Sequence, residues 1–250
     1  MEDTFLIGEI SKLLDIPTAT LRFWEEKGLF HVEKSENRYR RYSVRSLVEI
    51  ADVVFLRNLG IPVSRVSAMG SCALDEYASQ LQSIQGQLEQ KLRVYERTYR
   101  KTQAQLQHIR EVRTLMEEGF AIEEIPFEAV YPFDFQERDK LLRYVEDPAG
   151  YVRYFDTRNM LSEQRGIILP PKESVGKPLW QKKQGATFLT FLIREKAEQD
   201  YASDVLQSLS RIRPFYNTGE LLARYLLSAE EDGERIDYLK AYLEVWPWED

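Results

Sequence analysis

The chain has 250 residues, 43% hydrophobic and 30% charged, with a formal net charge of −7. That length exceeds one average domain and the composition supports a sizeable core, while no apolar run approaches the ~20 residues that a membrane span needs. The opening Met1-Glu2-Asp3-Thr4 lacks the basic start and apolar stretch of a secretory signal, and Cys72 stands alone. An intramolecular disulfide framework is thereby excluded, and a reducing, cytoplasmic location is expected.

The charge is unevenly spread. Residues 1–70 carry ten Lys/Arg against ten Asp/Glu, so the acidic excess lies wholly beyond them. Within this head Arg38, Arg40, Arg41 and Arg45 fall in eight residues, a cluster suited to phosphate but also to a plain solvated face.

The apolar period over Ile7–Leu14 predicts a short helix that stops near Asp15-Ile16-Pro17, since proline lacks an amide donor and restricts the residue before it. Thr18 is expected to cap a second helix running to Lys27, with Gly28 taking the left-handed conformation past its end. Two short helices joined by a tight turn predict a helix-turn-helix, whose second helix enters the major groove. From His31 to Tyr42, Val32, Tyr39 and Tyr42 flank the polar turn Glu36-Asn37-Arg38 and predict a two-stranded wing. Ser43 is expected to cap a third helix to about Asn58, Gly60 to end it, and Pro62 to open a fourth toward Met69.

Residues 74–118 hold no proline and one glycine, Gly86, and their apolar positions mostly recur every three or four residues. A helix of about 40 residues would span about 60 Å, too far for a small domain to cover. An antiparallel coiled coil with a second copy is therefore expected over 74–118, with a parallel pair or a helix lying along its own C-terminal domain as alternatives. Beyond Gly119 the texture becomes aromatic and strand-like. Residues 127–135, 151–155, 167–169 and 187–193 read as strands, with 221–227 strand-like, and 200–212 and 233–244 read as helices. The expected fold class is thus multi-domain: an α-rich winged helix-turn-helix head (1–73), a dimerisation coiled-coil helix (74–118) and an α+β effector-binding domain (119–250). Ending shortly after the last expected helix, the chain leaves little room for a closing strand.

The segments Ile7-Gly8-Glu9-Ile10, Thr20-Leu21-Arg22-Phe23-Trp24-Glu25-Glu26-Lys27-Gly28-Leu29 and Asn37-Arg38-Tyr39-Arg40-Arg41-Tyr42, followed by the long helix, resemble in order and spacing the MerR family of bacterial transcription regulators. The resemblance implies a homodimer on double-stranded promoter DNA, which bends and untwists an overlong spacer so that RNA polymerase engages both promoter elements. It places DNA contacts at Thr18, Thr20, Arg22, Phe23 and Trp24 of the recognition helix and at Arg38, Tyr39, Arg40, Arg41 and Tyr42 of the wing. Two departures stand out: Phe23 and Trp24 occupy positions usually held by Tyr, and Arg38 replaces the usual glycine. Core packing is the competing role for Trp24, and helix capping for Thr18.

In length and aromatic content, residues 119–250 resemble the gyrase-inhibitor-like effector domains of multidrug-responsive members. The resemblance implies a small organic ligand, cationic aromatic compounds included, held between aromatic faces and a carboxylate. Candidates are Tyr151, Tyr154, Phe155, Trp180, Phe191, Glu220, Tyr225 and Trp246. Cys72, His31 and His108 are too few for a soft-metal site, no cofactor is expected, and neither a phosphate loop nor a nucleophile elbow suggests an enzyme. A metal- or redox-responsive regulator and a non-catalytic coiled-coil adaptor remain as alternatives.

Overall fold

The computed structural model describes residues 4–34, 40–170, 176–199 and 201–248. They fall into two compact units, Met1–Glu96 and Arg97–Asp250.

In the first unit, strand β1 (Thr4–Phe5) leads into α1 (Ile7–Leu14) and α2 (Thr18–Glu26). Glu9 caps the start of α1 by accepting from the Leu6 amide at 2.7 Å. Asp15 then adopts φ 52°, turning the chain so that Pro17 becomes the N-cap of α2. Thr18 is therefore the first helical residue rather than the cap, and no side chain caps this helix. Gly28, at φ 69°, takes the left-handed conformation expected after α2.

Strands β2 (Glu33–Lys34) and β3 (Arg40–Ser43) pair antiparallel where the wing is expected; residues 35–39, which hold the expected turn Glu36-Asn37-Arg38, lie outside the described residues. Unforeseen was β1, which pairs with the other edge of β3 to give the order β1-β3-β2. Ser43 caps α3 (Val44–Asn58), its hydroxyl accepting from Ser46 N at 3.3 Å, and Pro62 is the N-cap of α4 (Val63–Met69). Ile10, Leu21, Trp24, Phe30, Tyr42, Ile50, Val53 and Leu56 form one core, against which Tyr77, Leu81 and Ile84 of α5 (Leu74–Glu118) also pack. Each fully buried aliphatic side chain there contributes about 1.5–3 kcal/mol.

The second unit is built on a single antiparallel sheet. Its strands are β4 (Ala121–Ile122), β5 (Ala129–Pro132), β6 (Tyr151–Asp156), β7 (Asn159–Ile167), β8 (Trp180–Gln181), β9 (Thr187–Lys196), β10 (Ala202–Ser203), β11 (Asn217–Glu231) and β12 (Glu234–Trp246). They run in the order β10-β9-β12-β11-β6-β7-β5-β8, with β4 also on β9. Helix α6 (Arg138–Glu146), a 3-10 turn (Pro148–Gly150) and α7 (Val205–Ile212) complete the unit.

Side chains alternate across each strand, so the sheet has two faces. Phe155, Leu221, Leu239, Ala241, Phe191 and Ile193 share one face with Val205, Leu209 and Ile212 of α7. On the other, Val152, Leu222, Tyr242 and Phe188 meet Phe127 and Trp180, while Val112 and Leu115 at the end of α5 pack on Leu226, Ile236 and Tyr238.

Two helix expectations fail here. Residues 233–244 form most of β12, not a helix; and of residues 200–212, 202–203 form β10, with the helix starting only at Val205. Strand β12 lies between β9 and β11 with both faces covered, so Tyr238–Leu243 are all buried and the period-2 signal disappears. Its true signature is Asp232-Gly233, both at positive φ (53° and 82°), the two-residue hairpin turn linking β11 to β12. The segment expected to leave no room for a closing strand is itself a strand.

Candidate nucleic-acid interface

Helix α2 sorts its side chains by the helical period. Leu21 and Trp24 point into the core, while Arg22 and Phe23 face outward. Thr18 and Thr20, on its first turn, are half-buried. Phe23 is 45% exposed, and the Lys27 ammonium one turn on lies 5.6 Å from its ring centroid, a favourable cation–π geometry.

On β3, the central strand of this sheet, Arg40 and Arg41 are exposed while Tyr42 is buried. Tyr42 is 0% exposed and Trp24 only 6%. These two of the expected DNA contacts therefore build the head rather than present themselves to a duplex: each ring buries more apolar area in the core than a phosphate contact could replace. Arg38 and Tyr39 lie outside the described residues.

Glu25 joins the two elements. It pairs with Arg40 Nε at 3.1 Å and accepts from the Tyr42 hydroxyl at 3.3 Å. Burial first, and then the Glu25 charge, push the Tyr42 phenol up to about 12, so it stays a neutral donor. Lys12 from the last turn of α1, Arg22 from α2 and Arg40 from β3 line one open groove with Leu6, Ile7, Gly8 and Glu9. Lys12, Arg22 and Arg40 outnumber Glu9 in the lining and Glu25 behind Arg40, which leaves the groove attractive to phosphate. Arg41 donates to Thr4 Oγ1 at 3.2 Å. Behind the wing, Glu49 accepts from His31 N at 2.7 Å and pairs with Arg45 at 3.2 Å; burial alone would raise its carboxyl, but these partners hold it below the usual range. Lys12, Glu25 and Glu49 escaped the sequence reading. Lys12 and Glu25 were accessible as outward positions on the two helices, whereas the Glu49–His31 bond depends on tertiary placement.

The expected effector residues do not converge. Tyr151, Phe155, Phe191 and Tyr225 belong to the α7 face, whereas Tyr154, Trp180, Glu220 and Trp246 belong to the opposite one. Phe155, Phe191 and Trp180 are core residues, all at most 7% exposed. Glu220 accepts from the Tyr154 hydroxyl at 2.7 Å and pairs with Lys183 at 2.9 Å, so its charge is already compensated. Burial, then Glu220, raises the Tyr154 phenol. Tyr225 bonds Ser228 at 2.8 Å, and Trp246 is 42% exposed at the end of β12. Tyr151 joins a ring cluster in which Phe133, Phe135 and Tyr144 surround it at centroid separations of 5.9–6.4 Å, and Arg165 lies over Phe135 at 5.7 Å. Beside this cluster Arg153 pairs with both Glu163 and Glu195. Burial raises the Glu195 carboxyl even though Arg153 opposes it.

Among the described residues no group of three or more His, Cys, Asp or Glu is placed to hold a metal ion, and no helix is long and apolar enough to cross a membrane.

Comparison with known proteins finds no match among curated sequences. The solved structures that align include a transcriptional regulator of the MerR family from Bacillus thuringiensis, 17% identical with a TM-score of 0.34 over 41% of this chain and 98% of that one, and the EcmrR–DNA complex in EcmrR-RPo, 16% identical with a TM-score of 0.38 over 96% and 99%. The family described as MerR family regulatory protein matches residues 6–42, the stretch that carries α1, α2 and the wing. The N-terminal helix-turn-helix of this chain is a MerR-family domain.

Proposed function

We propose that this protein is a transcription regulator whose head grips duplex promoter DNA, whose long helix pairs with a second copy, and whose C-terminal unit responds to a small organic effector. The observation that carries the reading is the groove in which Lys12, Arg22 and Arg40 converge beside the outward face of α2, in the segment matched by the family. Arg22 reaches base edges or phosphate from α2 while Arg40, oriented by Glu25, takes phosphate beside the wing. On DNA the carboxylate competes with the phosphate for Arg40, so the pair positions the guanidinium and surrenders it.

Support for the dimer comes from α5, where Leu88, Leu92, Tyr95, Tyr99, Leu106 and Ile109 remain exposed at mostly three- and four-residue steps, the spacing of a helix–helix seam. Two heads held in this way bend and untwist the promoter, and an effector that prefers one of two states biases the outcome. The exposed ring of Phe135 and the half-buried rings of Tyr144 and Tyr151, packed on the buried Phe133 beside a guanidinium, support an aromatic effector.

The test is DNA binding by the full chain, using duplexes selected from a random library and read by fluorescence anisotropy against salt. Arg40→Ala is expected to weaken binding about tenfold across all selected sequences and to reduce the salt slope by about one. Unchanged affinity and slope, with the fold intact, would remove the wing from the interface.

A further inference from the structure

The C-terminal unit contains a cleft of about 710 Å³ that none of the residues considered above for an effector lines. It lies among β5, β7, β8, β11 and the 3-10 turn, on the sheet face opposite α7. Its size falls within the range of small-molecule sites. Phe127, Tyr131, Ile168 and Leu169 give it an apolar wall, and Arg143 and Arg224 bring guanidinium groups to it.

Arg224 is the unusual member. It is half-buried on β11, donates through Nε to Ala149 O at 2.9 Å, and faces His108 Nε2 of α5 at 3.4 Å. Other cations that the sheet withdraws from water have carboxylates: Arg153 holds Glu163 and Glu195, and the buried Lys240 holds Glu111 and Glu123. Among the described residues Arg224 has no carboxylate within salt-bridge distance. Two acids also line the cleft, but neither neutralises it: Asp147 is exposed and accepts from Ala149 N, while Glu128 is 83% exposed beside Lys182. The uncompensated charge is felt next door, where burial and then Arg224 hold the His108 imidazole below its ordinary value and its Nδ1 is buried without a partner. A cation withdrawn from water without a counter-ion is costly, and an anionic ligand removes that cost.

We propose that this cleft is a ligand site of its own, taking a small amphipathic carboxylate whose head group pairs with Arg224 and whose apolar body lies on Phe127, Ile168 and Leu169. A planar carboxylate matches the guanidinium fork, and an aryl body lies flat between those side chains. The site stands apart from the aromatic cluster on the α7 face and requires no DNA.

The experiment is calorimetric titration of the full chain with 2-naphthoate, with 2-naphthylmethanol as the neutral counterpart of the same shape. The expected result is saturable binding of one naphthoate per chain, at least about tenfold tighter than the alcohol, and loss of that difference in Arg224→Gln. Because Arg224 also bonds Ala149, Ala129→Phe serves as a second variant: it fills the cleft from β5, leaves the Arg224 contacts in place, and is expected to abolish naphthoate binding. Equal affinity for acid and alcohol, no saturable binding by the wild type, or full binding by either folded variant would overturn the assignment.

Discussion

Replacing Lys240 with Met would remove the charge that ties the end of α5 to the middle of the sheet. The ammonium is 6% exposed and lies 2.9 Å from Glu111 on α5 and 2.7 Å from Glu123 beside β4; Glu123 also accepts from Thr190 at 2.9 Å. Methionine keeps most of the side-chain volume, so the loss is chiefly electrostatic. Breaking one partner out of a fully buried pair costs about 3–5 kcal/mol. Here Glu111 is 21% and Glu123 41% exposed, so water screens part of that, and about 2 kcal/mol remains. Hydrogen exchange of the β9 and β12 amides in the full chain reads this unit alone, and about 2 kcal/mol appears as a roughly thirtyfold loss of protection at neutral pH.

The pH dependence has a definite sign. Burial alone would raise the Glu123 carboxyl, but Lys240 and Thr190 override it and hold it below its ordinary 4.5. A carboxyl depressed on folding stabilises fully above its unfolded value and loses that contribution as pH falls through the folded one. The Lys240 ammonium, raised by Glu123 and Glu111 against the opposing effect of burial, stays charged throughout this window. The difference between wild type and Lys240→Met is therefore largest at neutral pH and shrinks below about pH 4.5. Adding Glu111→Gln and Glu123→Gln should restore much of the protection, because no carboxylate is left uncompensated. Undiminished protection in Lys240→Met at neutral pH, or a deficit that persists unchanged in acid, would refute the reasoning.

Two smaller perturbations test the architecture. Tyr42→Phe removes one hydrogen bond to Glu25 and should cost the head about 0.5–1.5 kcal/mol in urea unfolding while leaving DNA affinity within about threefold; a larger loss of affinity would return Tyr42 to the interface. At Gly166 an added Cβ would collide with Val130 Cγ1 and press on Tyr131 O at 3.3 Å. Gly166→Ala should therefore destabilise the C-terminal unit by about 1–3 kcal/mol in thermal unfolding, and a wild-type transition would show that β5 and β7 are not packed this closely.

The head was largely legible because its signals are local. Pro17 and Gly28 punctuate the helices, Ser43 caps the third, and the outward period of Arg22 and Phe23 follows from the helix itself. The same period placed Leu74–Glu118 in one helix without any knowledge of what it packs against. What failed there depended on the partner surface. Whether Trp24 and Tyr42 face DNA or the core is decided by the core they share with α3 and by the pairing of β3 with β1, contacts that only the folded head brings about.

In the C-terminal unit the balance reverses. Composition and punctuation located β6, β9 and β11 approximately, since each mixes strand-forming residues with flanking turns. Strand β12 was lost because central placement buries both its faces and erases the alternation that distinguishes strand from helix. The aromatic residues could be counted but not assigned to a face, for a shift of one position in register exchanges the faces. The charged pairs Arg153–Glu195 and Lys240–Glu111, 42 and 129 residues apart, and the solitary guanidinium of Arg224 exist only once the sheet is assembled. The amino-acid sequence alone determined the local elements and the family of the head, because helix periods, caps and turns act over a few residues. Tertiary structure decided which side chains meet, because burial and charge compensation depend on partners brought together by strand pairing.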